Sequence, residues 1–261
     1  MNLIKFLRLA FLSFILTFHN AFAMQDDSGP KTAGKVSLKI SKHELGKPLS
    51  VTLESKNLFM RNIEGTEDLN YYYQIFCTPK AMEKYMEGVP REPQEVIGRH
   101  KRYFTCWLNG NPYSSYLTFL NEKAALQFLT EKENLLETSQ AADLKKEFAE
   151  NKKIFIGHIL LEPGDDRPHV KTDAEISYVF LPAFWGRRYG TEAVENIVEL
   201  AKNLRQKGFT VESHAIDTLI GTARPDNGGS CGVLENNGFT YDSRGDTVKY
   251  GALRHLYTLA L

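Results

Sequence analysis

A turn that contains Gly186 and Gly190 is the part of the chain best suited to binding an anion. Residues Ile176 to Phe180 favour a strand, Pro182 ends it, and apolar residues recur at helical spacing from Thr191 onward. The turn therefore lies at a helix N-terminus, where free backbone N–H groups and about half a positive charge from the helix dipole stabilise a phosphate. The pattern predicts a pyrophosphate-binding turn.

The same turn resembles motif A of the GNAT superfamily of N-acetyltransferases, in which Gln/Arg-x-x-Gly-x-Gly/Ala wraps the pyrophosphate of acetyl-CoA. Trp185 takes the first position and Gly190 the last, and tryptophan after Pro-x-x is typical of the branch that acetylates N-terminal alanine of ribosomal proteins. Arg188 stands where the family usually has glycine. If that position requires a positive φ, arginine adds strain of about 1 kcal/mol or more; alternatively, its guanidinium pairs with a phosphate.

A second segment, at residues 223–239, resembles the family's motif B. Its Asn-x-x-Ser, formed by Asn227 and Ser230, begins a short helix that flanks the pantetheine arm in the family. Asp226 or Asn227 can cap this helix, and Gly238 lies where a left-handed residue is favoured at its end. Two motifs in the family's order predict acetyl-CoA as the co-substrate.

The resemblance implies contacts with acetyl-CoA along the strand, the turn and the motif B helix. Backbone N–H groups at the end of the strand are the family's usual partners of the thioester oxygen and the pantetheine amides, and they act as preorganised dipoles where negative charge develops. The predicted cofactor-binding residues are Val179, Phe180, Leu181, Gly186, Arg187, Arg188, Tyr189, Gly190, Thr191, Asn227 and Ser230.

Two residues are predicted to carry the proton transfers of acetyl transfer to an amine. Glu175 matches the place where many family members carry a general base; its alternative role is a solvated carboxylate at a strand end. Leu234 replaces the family's usual tyrosine acid, so Ser230 is the nearest hydroxyl, with helix capping as its alternative role. Tyr241 and Tyr257 are further candidates, although tyrosines more often pack on a sheet. The leaving thiol has a pKa of about 8.5, so an acid helps without being indispensable.

The resemblance covers residues 51–261 and implies an α/β GNAT fold. Its central sheet is mixed and mostly antiparallel, splayed at the cofactor cleft between the middle strands, with helices on both faces. Apolar periodicity and composition predict the remaining elements. They are helices at 67–76 and 95–108, a helical insertion near 121–150 and a strand at 153–161. A strand at 53–61 is implied by its resemblance to the family's opening strand.

The composition is ordinary for a globular enzyme, with 42% hydrophobic residues, 25% charged residues and a net charge of zero. This balance gives no field that recruits nucleic acid, so no direct nucleic-acid binding is expected. Cys77, Cys106 and Cys231 are odd in number and lack the spacing of metal ligands. Neither a disulfide framework nor a metal site is predicted.

The first 23 residues have the three parts of a secretory signal peptide: basic Lys5 and Arg8, an apolar run at 9–18 and a small-x-small site ending at Ala23. A bilayer span takes about twenty apolar residues, so no stable membrane span is expected. Residues 24–50 are predicted as a linker and N-terminal extension. The signal predicts export to a periplasm or the medium; a start at Met24 would instead give a cytoplasmic protein.

The predicted function is acetyl-CoA-dependent N-acetylation of a primary amine by direct attack, without an acyl-enzyme and without a metal. The acceptor is a protein N-terminus or a small amine, by resemblance to the ribosomal-protein branch. The alternative is a non-catalytic acyl-CoA-binding or exported interaction module. Arg188, the missing tyrosine and the signal peptide motivate that alternative.

Overall fold

The structure, a computed structural model, describes residues 36–132, 138–164, 172–211 and 213–261. The predicted signal peptide and the first part of the predicted linker, to residue 35, lie outside these ranges. Within them, no helix combines the length and apolar character needed to cross a membrane.

Ten strands and seven α-helices are described. The strands are β1 (Ser37–Ile40), β2 (Val51–Glu54), β3 (Leu58–Asn62), β4 (Ser115–Leu120), β5 (Ile154–Pro163), β6 (Asp173–Phe180), β7 (Thr218–Ala223), β8 (Thr240–Tyr241), β9 (Thr247–Lys249) and β10 (Ala252–Ala260). The helices are α1 (Leu69–Phe76), α2 (Pro79–Met82), α3 (Pro93–Leu108), α4 (Glu122–Lys132), α5 (Thr138–Asn151), α6 (Tyr189–Gln206) and α7 (Gly228–Asn236).

The strands form one sheet in the order β1-β2-β3-β4-β5-β6-β7-β10-β8, with β9 paired to β10. Each neighbouring pair is antiparallel apart from β6 and β7, which run parallel. The prediction of a mixed and mostly antiparallel sheet is confirmed.

The two parallel strands separate soon after they meet. Their pairing ends with Glu175 opposite Ile220. Beyond this pair, β6 stays bonded to β5 as far as Phe180, and β7 stays bonded to β10 as far as Ala223. The predicted splay between the middle strands is therefore present, and Glu175 lies where it opens.

Helices cover both faces of the sheet, as predicted. The hydroxyl of Tyr85, just after α2, lies 3.4 Å from Oγ of Ser177 in β6, whereas the hydroxyl of Tyr178 reaches Ser230 of α7. Because successive strand residues point to opposite faces, α2 and α7 lie on opposite sides of the sheet. Phe180 shares the face of Tyr178 and contacts the first turn of α6.

The predicted helices and strands are confirmed with one exception. Residues 53–61 form a hairpin, not a single strand, because the N–H of Ser55 donates to the carbonyl of Leu58 at 2.9 Å and closes a turn between β2 and β3. The polar run from Glu54 to Asn57 is the sequence signal for this turn. Within the predicted N-terminal extension, β1 pairs antiparallel with β2 and extends the sheet by one strand.

Candidate active site

The turn between β6 and α6 presents backbone N–H groups without helical acceptors. A 3-10 turn at Pro182–Phe184 leads out of β6. The first hydrogen bond of α6 runs from the N–H of Glu192 to the carbonyl of Arg188 at 3.0 Å. The three N–H groups from Tyr189 to Thr191 precede this bond, so they have no acceptor within the helix. They form a donor array for an anionic group.

Two residues of the turn have left-handed backbone conformations: Gly186 at φ 73° and Arg188 at φ 63°. The second position is the one where the family has glycine, so arginine here adds strain of about 1 kcal/mol. The Arg188 side chain is exposed, and a Cβ added to Gly186 would meet no atom within 4 Å. The turn is therefore open to solvent at Gly186 and Arg188.

Helix α4 supports the turn from outside. The guanidinium of Arg187 forms a 2.7 Å ion pair with Glu131 and lies 5.0 Å above the ring of Phe128. Phe128 also contacts Phe184, with ring centroids 4.7 Å apart. The helical insertion therefore positions Arg187, which the sequence could not indicate because its partner lies 56 residues away.

The backbone at the end of β6 corrects one part of the sequence prediction. The N–H of Leu181 donates to the carbonyl of Ile156 in β5 at 2.8 Å, so it points away from the splay. Alternation in an antiparallel ladder turns Val179 toward β5 as well and Phe180 toward the splay. In agreement, the Phe180 carbonyl accepts from the indole N–H of Trp185 at 2.7 Å. Of the three predicted strand amides, that of Phe180 faces the splay.

Glu175 is buried where the splay opens, with 8% of its surface exposed. Its Oε2 lies 3.2 Å from Nζ of Lys249 in β9, and its Oε1 accepts from the hydroxyl of Thr222 in β7 at 3.4 Å. The alternative of a solvated strand-end carboxylate is therefore wrong. Lys249 and Thr222 were missed by sequence reasoning, because each comes from a different strand.

Ser230 lies in the first turn of α7, beside the splay. Its N–H donates to Oδ1 of Asn227 at 3.3 Å, so Asn227 and not Ser230 is the helix cap. That hydroxyl lies 3.0 Å from the hydroxyl of Tyr178, which also donates to the Ser230 carbonyl at 3.1 Å. Burial raises the pKa of the Tyr178 phenol. Sequence reasoning missed Tyr178, although its place two residues before Phe180 puts both on one strand face.

The two other tyrosine candidates are bound elsewhere. Tyr241 is exposed and donates to Asp246 at 2.7 Å. Tyr257 is buried in β10 and donates to Glu235 of α7 at 3.4 Å. Burial, followed by the neighbouring Cys231, raises the pKa of the Tyr257 phenol. Neither has a hydrogen bond to Glu175 or Ser230 among the described contacts.

Together, the turn and the splay suit acetyl-CoA. The free amides at the start of α6 fit a pyrophosphate, and the gap between β6 and β7 fits an extended arm with amide groups. Glu175 lies on the side of the sheet opposite α7.

Comparison with known families assigns the chain. The sequence model of the acetyltransferase (GNAT) domain matches residues 57–240, more than half of the chain. The chain belongs to the GNAT family of acetyltransferases, and it is an N-acetyltransferase that uses acetyl-CoA. No curated protein matches the sequence.

Solved structures share the fold at low sequence identity. An acetyltransferase of the GNAT family from Bacillus anthracis is 15% identical with a TM-score of 0.53, covering 80% of this chain and 98% of its own. An acetyltransferase from Salmonella typhimurium, which modifies the N-terminal serine of ribosomal protein L7/L12, is 15% identical with a TM-score of 0.51, covering 79% and 96%. An aminoglycoside acetyltransferase in complex with coenzyme A is 14% identical with a TM-score of 0.51, covering 78% and 94%. At these identities the likeness shows the fold alone.

Proposed function

We propose that the protein transfers the acetyl group of acetyl-CoA directly to a primary amine, on a protein N-terminus or a small molecule. The observation that carries the proposal is the position of Glu175 at the opening of the splay, with the α6 turn at the end of the same strand. The Glu175 carboxylate and the anion-binding turn would therefore both act on a substrate held in the splay between β6 and β7.

The turn and β6 would hold the acetyl donor. The N–H groups of Tyr189, Gly190 and Thr191 would bind the pyrophosphate, with the exposed Arg188 guanidinium beside them. The N–H of Phe180 would face the pantetheine arm in the splay. When bound, acetyl-CoA supplies an activated acyl group as a thioester.

Glu175 would act as the general base. It accepts a proton from the attacking amine, directly or through a water molecule, and so makes the nitrogen nucleophilic. Thr222 orients one carboxylate oxygen and Lys249 the other. Since a base must be ionised to accept a proton, an ammonium neighbour is compatible with the role.

Ser230 would supply a proton to the departing thiolate. Its hydroxyl lies on α7, which flanks the splay, and the Tyr178 hydroxyl lies 3.0 Å from it. The two hydroxyls link β6 to α7. This arrangement compensates for the leucine at position 234 where many relatives have tyrosine.

Two relatives of known structure act on different amines. One modifies the N-terminal serine of ribosomal protein L7/L12, and another is an aminoglycoside acetyltransferase. Both chemistries are amine acetylation, which supports the reaction class for this chain. The acceptor is therefore best sought among both peptide N-termini and small amines.

Two measurements on the purified protein test the proposal. Titration calorimetry with acetyl-CoA should give micromolar affinity, about −8 kcal/mol, which Gly190→Trp abolishes by filling the turn. Thiol release should then follow on adding a panel of peptides and small amines. Glu175→Gln should retain acetyl-CoA binding and lose at least 100-fold in turnover.

Glu162→Gln is the matched control, because Glu162 lies directly opposite Glu175 on β5. It should turn over within about twofold of the wild type. Binding without turnover of any amine would support the alternative of a non-catalytic module, and equal loss in both variants would remove Glu175 as the base.

A further inference from the structure

Three guanidinium groups converge on Met86, in the loop between α2 and α3. Nη2 of Arg99 lies 3.1 Å from the Met86 sulfur, and Nη2 of Arg91 lies 3.6 Å from it. Nη2 of Arg254, from β10, donates to the Met86 carbonyl at 2.8 Å. Met86 itself has a left-handed backbone at φ 50°, a strained conformation for methionine.

The carboxylates near this cluster are already paired. Glu87 pairs with Arg91, and Glu175 pairs with Lys249 at 3.2 Å. Within the described part of the chain, neither Arg99 nor Arg254 has a carboxylate within the 4.0 Å of an ion pair. Among the described residues, these two guanidiniums contact aromatic rings and Met86 without an ion-paired carboxylate.

Burial makes this arrangement costly for the protein alone. Arg254 is 6% exposed, and the buried Nε of Arg91 has no hydrogen-bond partner. A guanidinium carries five N–H donors, and a thioether is a weak acceptor. Buried charges are ordinarily paired, because an unpaired one loses its hydration without compensation. An oxyanion beside Met86 would supply the counter-charge that Arg99 and Arg254 lack among the described residues.

The cluster adjoins the proposed base. Arg254 donates through Nε to the carbonyl of Lys249 at 3.4 Å, and Lys249 holds Glu175. Tyr85, the neighbour of Met86, reaches Ser177, which shares the sheet face of Glu175. The guanidiniums therefore lie on the same side of the sheet as Glu175, opposite α7.

We propose that the acceptor is an amine that also carries a carboxylate, and that Arg99 and Arg254 bind this carboxylate beside Met86 while the amine lies at Glu175. Paired N–H donors of arginine match the two oxygens of a carboxylate. The role of the amine rests on the proposed function, whereas binding of the carboxylate can be measured without turnover.

The binding test compares glutarate with glutaramide, which has the same length and no charge. Glutarate at millimolar concentration should raise the melting temperature of the wild-type protein, and glutaramide should not. Arg99→Gln and Arg254→Gln should each weaken glutarate binding at least tenfold. The Arg99 variant guards against misfolding of the Arg254 variant, because Arg99 contacts the Met86 sulfur and the Phe76 ring and donates to no backbone carbonyl among its described contacts.

Arg244→Gln is the matched control, because Arg244 is exposed and paired with Asp242. It should bind glutarate as the wild type does. Absence of a glutarate effect in the wild type, or equal loss in the Arg244 variant, would overturn the proposal whether or not any amine is acetylated.

The turnover test identifies the source of the carboxylate. Amino acids are compared with their amides, and peptides with Glu at the second position with their Gln counterparts. A preference of at least tenfold in kcat/KM for the charged member, lost in Arg99→Gln, is expected in one of the two series. Turnover of charged and neutral members alike would refute the carboxylate site and leave the acetyltransferase function intact.

Discussion

Glu192 in the first turn of α6 holds Asn57 in the β2–β3 turn with both of its carboxylate oxygens. Oε1 accepts the backbone N–H of Asn57 and Oε2 accepts its side-chain amide, each at 2.7 Å. Oε1 also accepts the hydroxyl of Ser55 at 2.7 Å. These contacts attach α6, the helix that follows the anion-binding turn, to the turn between β2 and β3.

Replacing Glu192 with Gln should destabilise the fold by about 1–3 kcal/mol, because the amide group must face a donor of Asn57 and leaves it unsatisfied. Urea unfolding would measure the loss. Glu199→Gln in the same helix is the control, since Glu199 is exposed and bonds only Lys202 among its described contacts. Equal stability of the two variants would show that the Asn57 contacts contribute nothing.

The contact between Glu192 and Asn57 could not be predicted from the sequence. Local patterns indicated the turn and Asn227 as a cap, and the family resemblance that motifs A and B carry implied the splayed sheet. Asn57 lies in a polar run that indicates only a turn, and its partner lies 135 residues away. Its role could be recognised only once β3 and α6 were packed together.

The contacts of Glu175 could not be predicted from the sequence for the same reason. Its partner Lys249 is 74 residues distant, in a strand of three residues with no clear period. The direction of the Leu181 amide also escaped prediction, because it depends on strand register and not on residue type. Local patterns predicted most of the helices and strands. The contacts between side chains that are distant in the sequence depend on the tertiary fold.

The Arg188→Gly variant distinguishes two effects of Arg188: backbone strain, which changes stability, and contact with a phosphate, which changes acetyl-CoA affinity. Glycine removes about 1 kcal/mol of left-handed strain but adds freedom to the unfolded chain, so stability should change by less than about 1 kcal/mol. If the guanidinium contacts a phosphate, the affinity for acetyl-CoA should fall several-fold at low salt. The loss of affinity should be smaller at high salt, because salt screens the interaction. Calorimetry at two salt concentrations measures this.

Lys152→Gly controls for the backbone, since Lys152 also has a left-handed conformation, at φ 55°. It should show a similar change in stability with unchanged acetyl-CoA affinity. An Arg188 variant that binds as tightly as the wild type would mean that backbone N–H groups alone hold the pyrophosphate.

Glu147 in α5 should make the protein less stable as the pH rises. Its Oε1 accepts the N–H of Phe155 at 2.9 Å, and burial raises the pKa of its carboxyl to about 7. Its contribution to stability is complete below the unfolded pKa of about 4.5 and is lost as the pH rises through about 7. Glu147→Gln keeps the acceptor without the charge, so it should be more stable than the wild type at pH 8 by about 3 kcal/mol.

Chemical unfolding at pH 4 and pH 8 tests this difference, which should vanish at pH 4. Asp143→Asn, on the exposed side of the same helix, should follow the wild type at both values. A constant gap between Glu147→Gln and the wild type across this range would show that the carboxyl does not titrate with folding.

Ser230→Ala should slow acetyl transfer most strongly at low pH. If its hydroxyl protonates the leaving thiolate, kcat at pH 7 should fall about tenfold, at the lower end of general-acid effects because a thiol of pKa about 8.5 is a fair leaving group. The deficit should shrink above pH 9, where the thiolate departs without a proton. Tyr178→Phe should show a smaller deficit with the same pH dependence, because it removes the hydroxyl beside that of Ser230. Ser243→Ala, at an exposed position, is the control. A Ser230→Ala deficit that is constant with pH would assign the hydroxyl to binding and not to proton transfer.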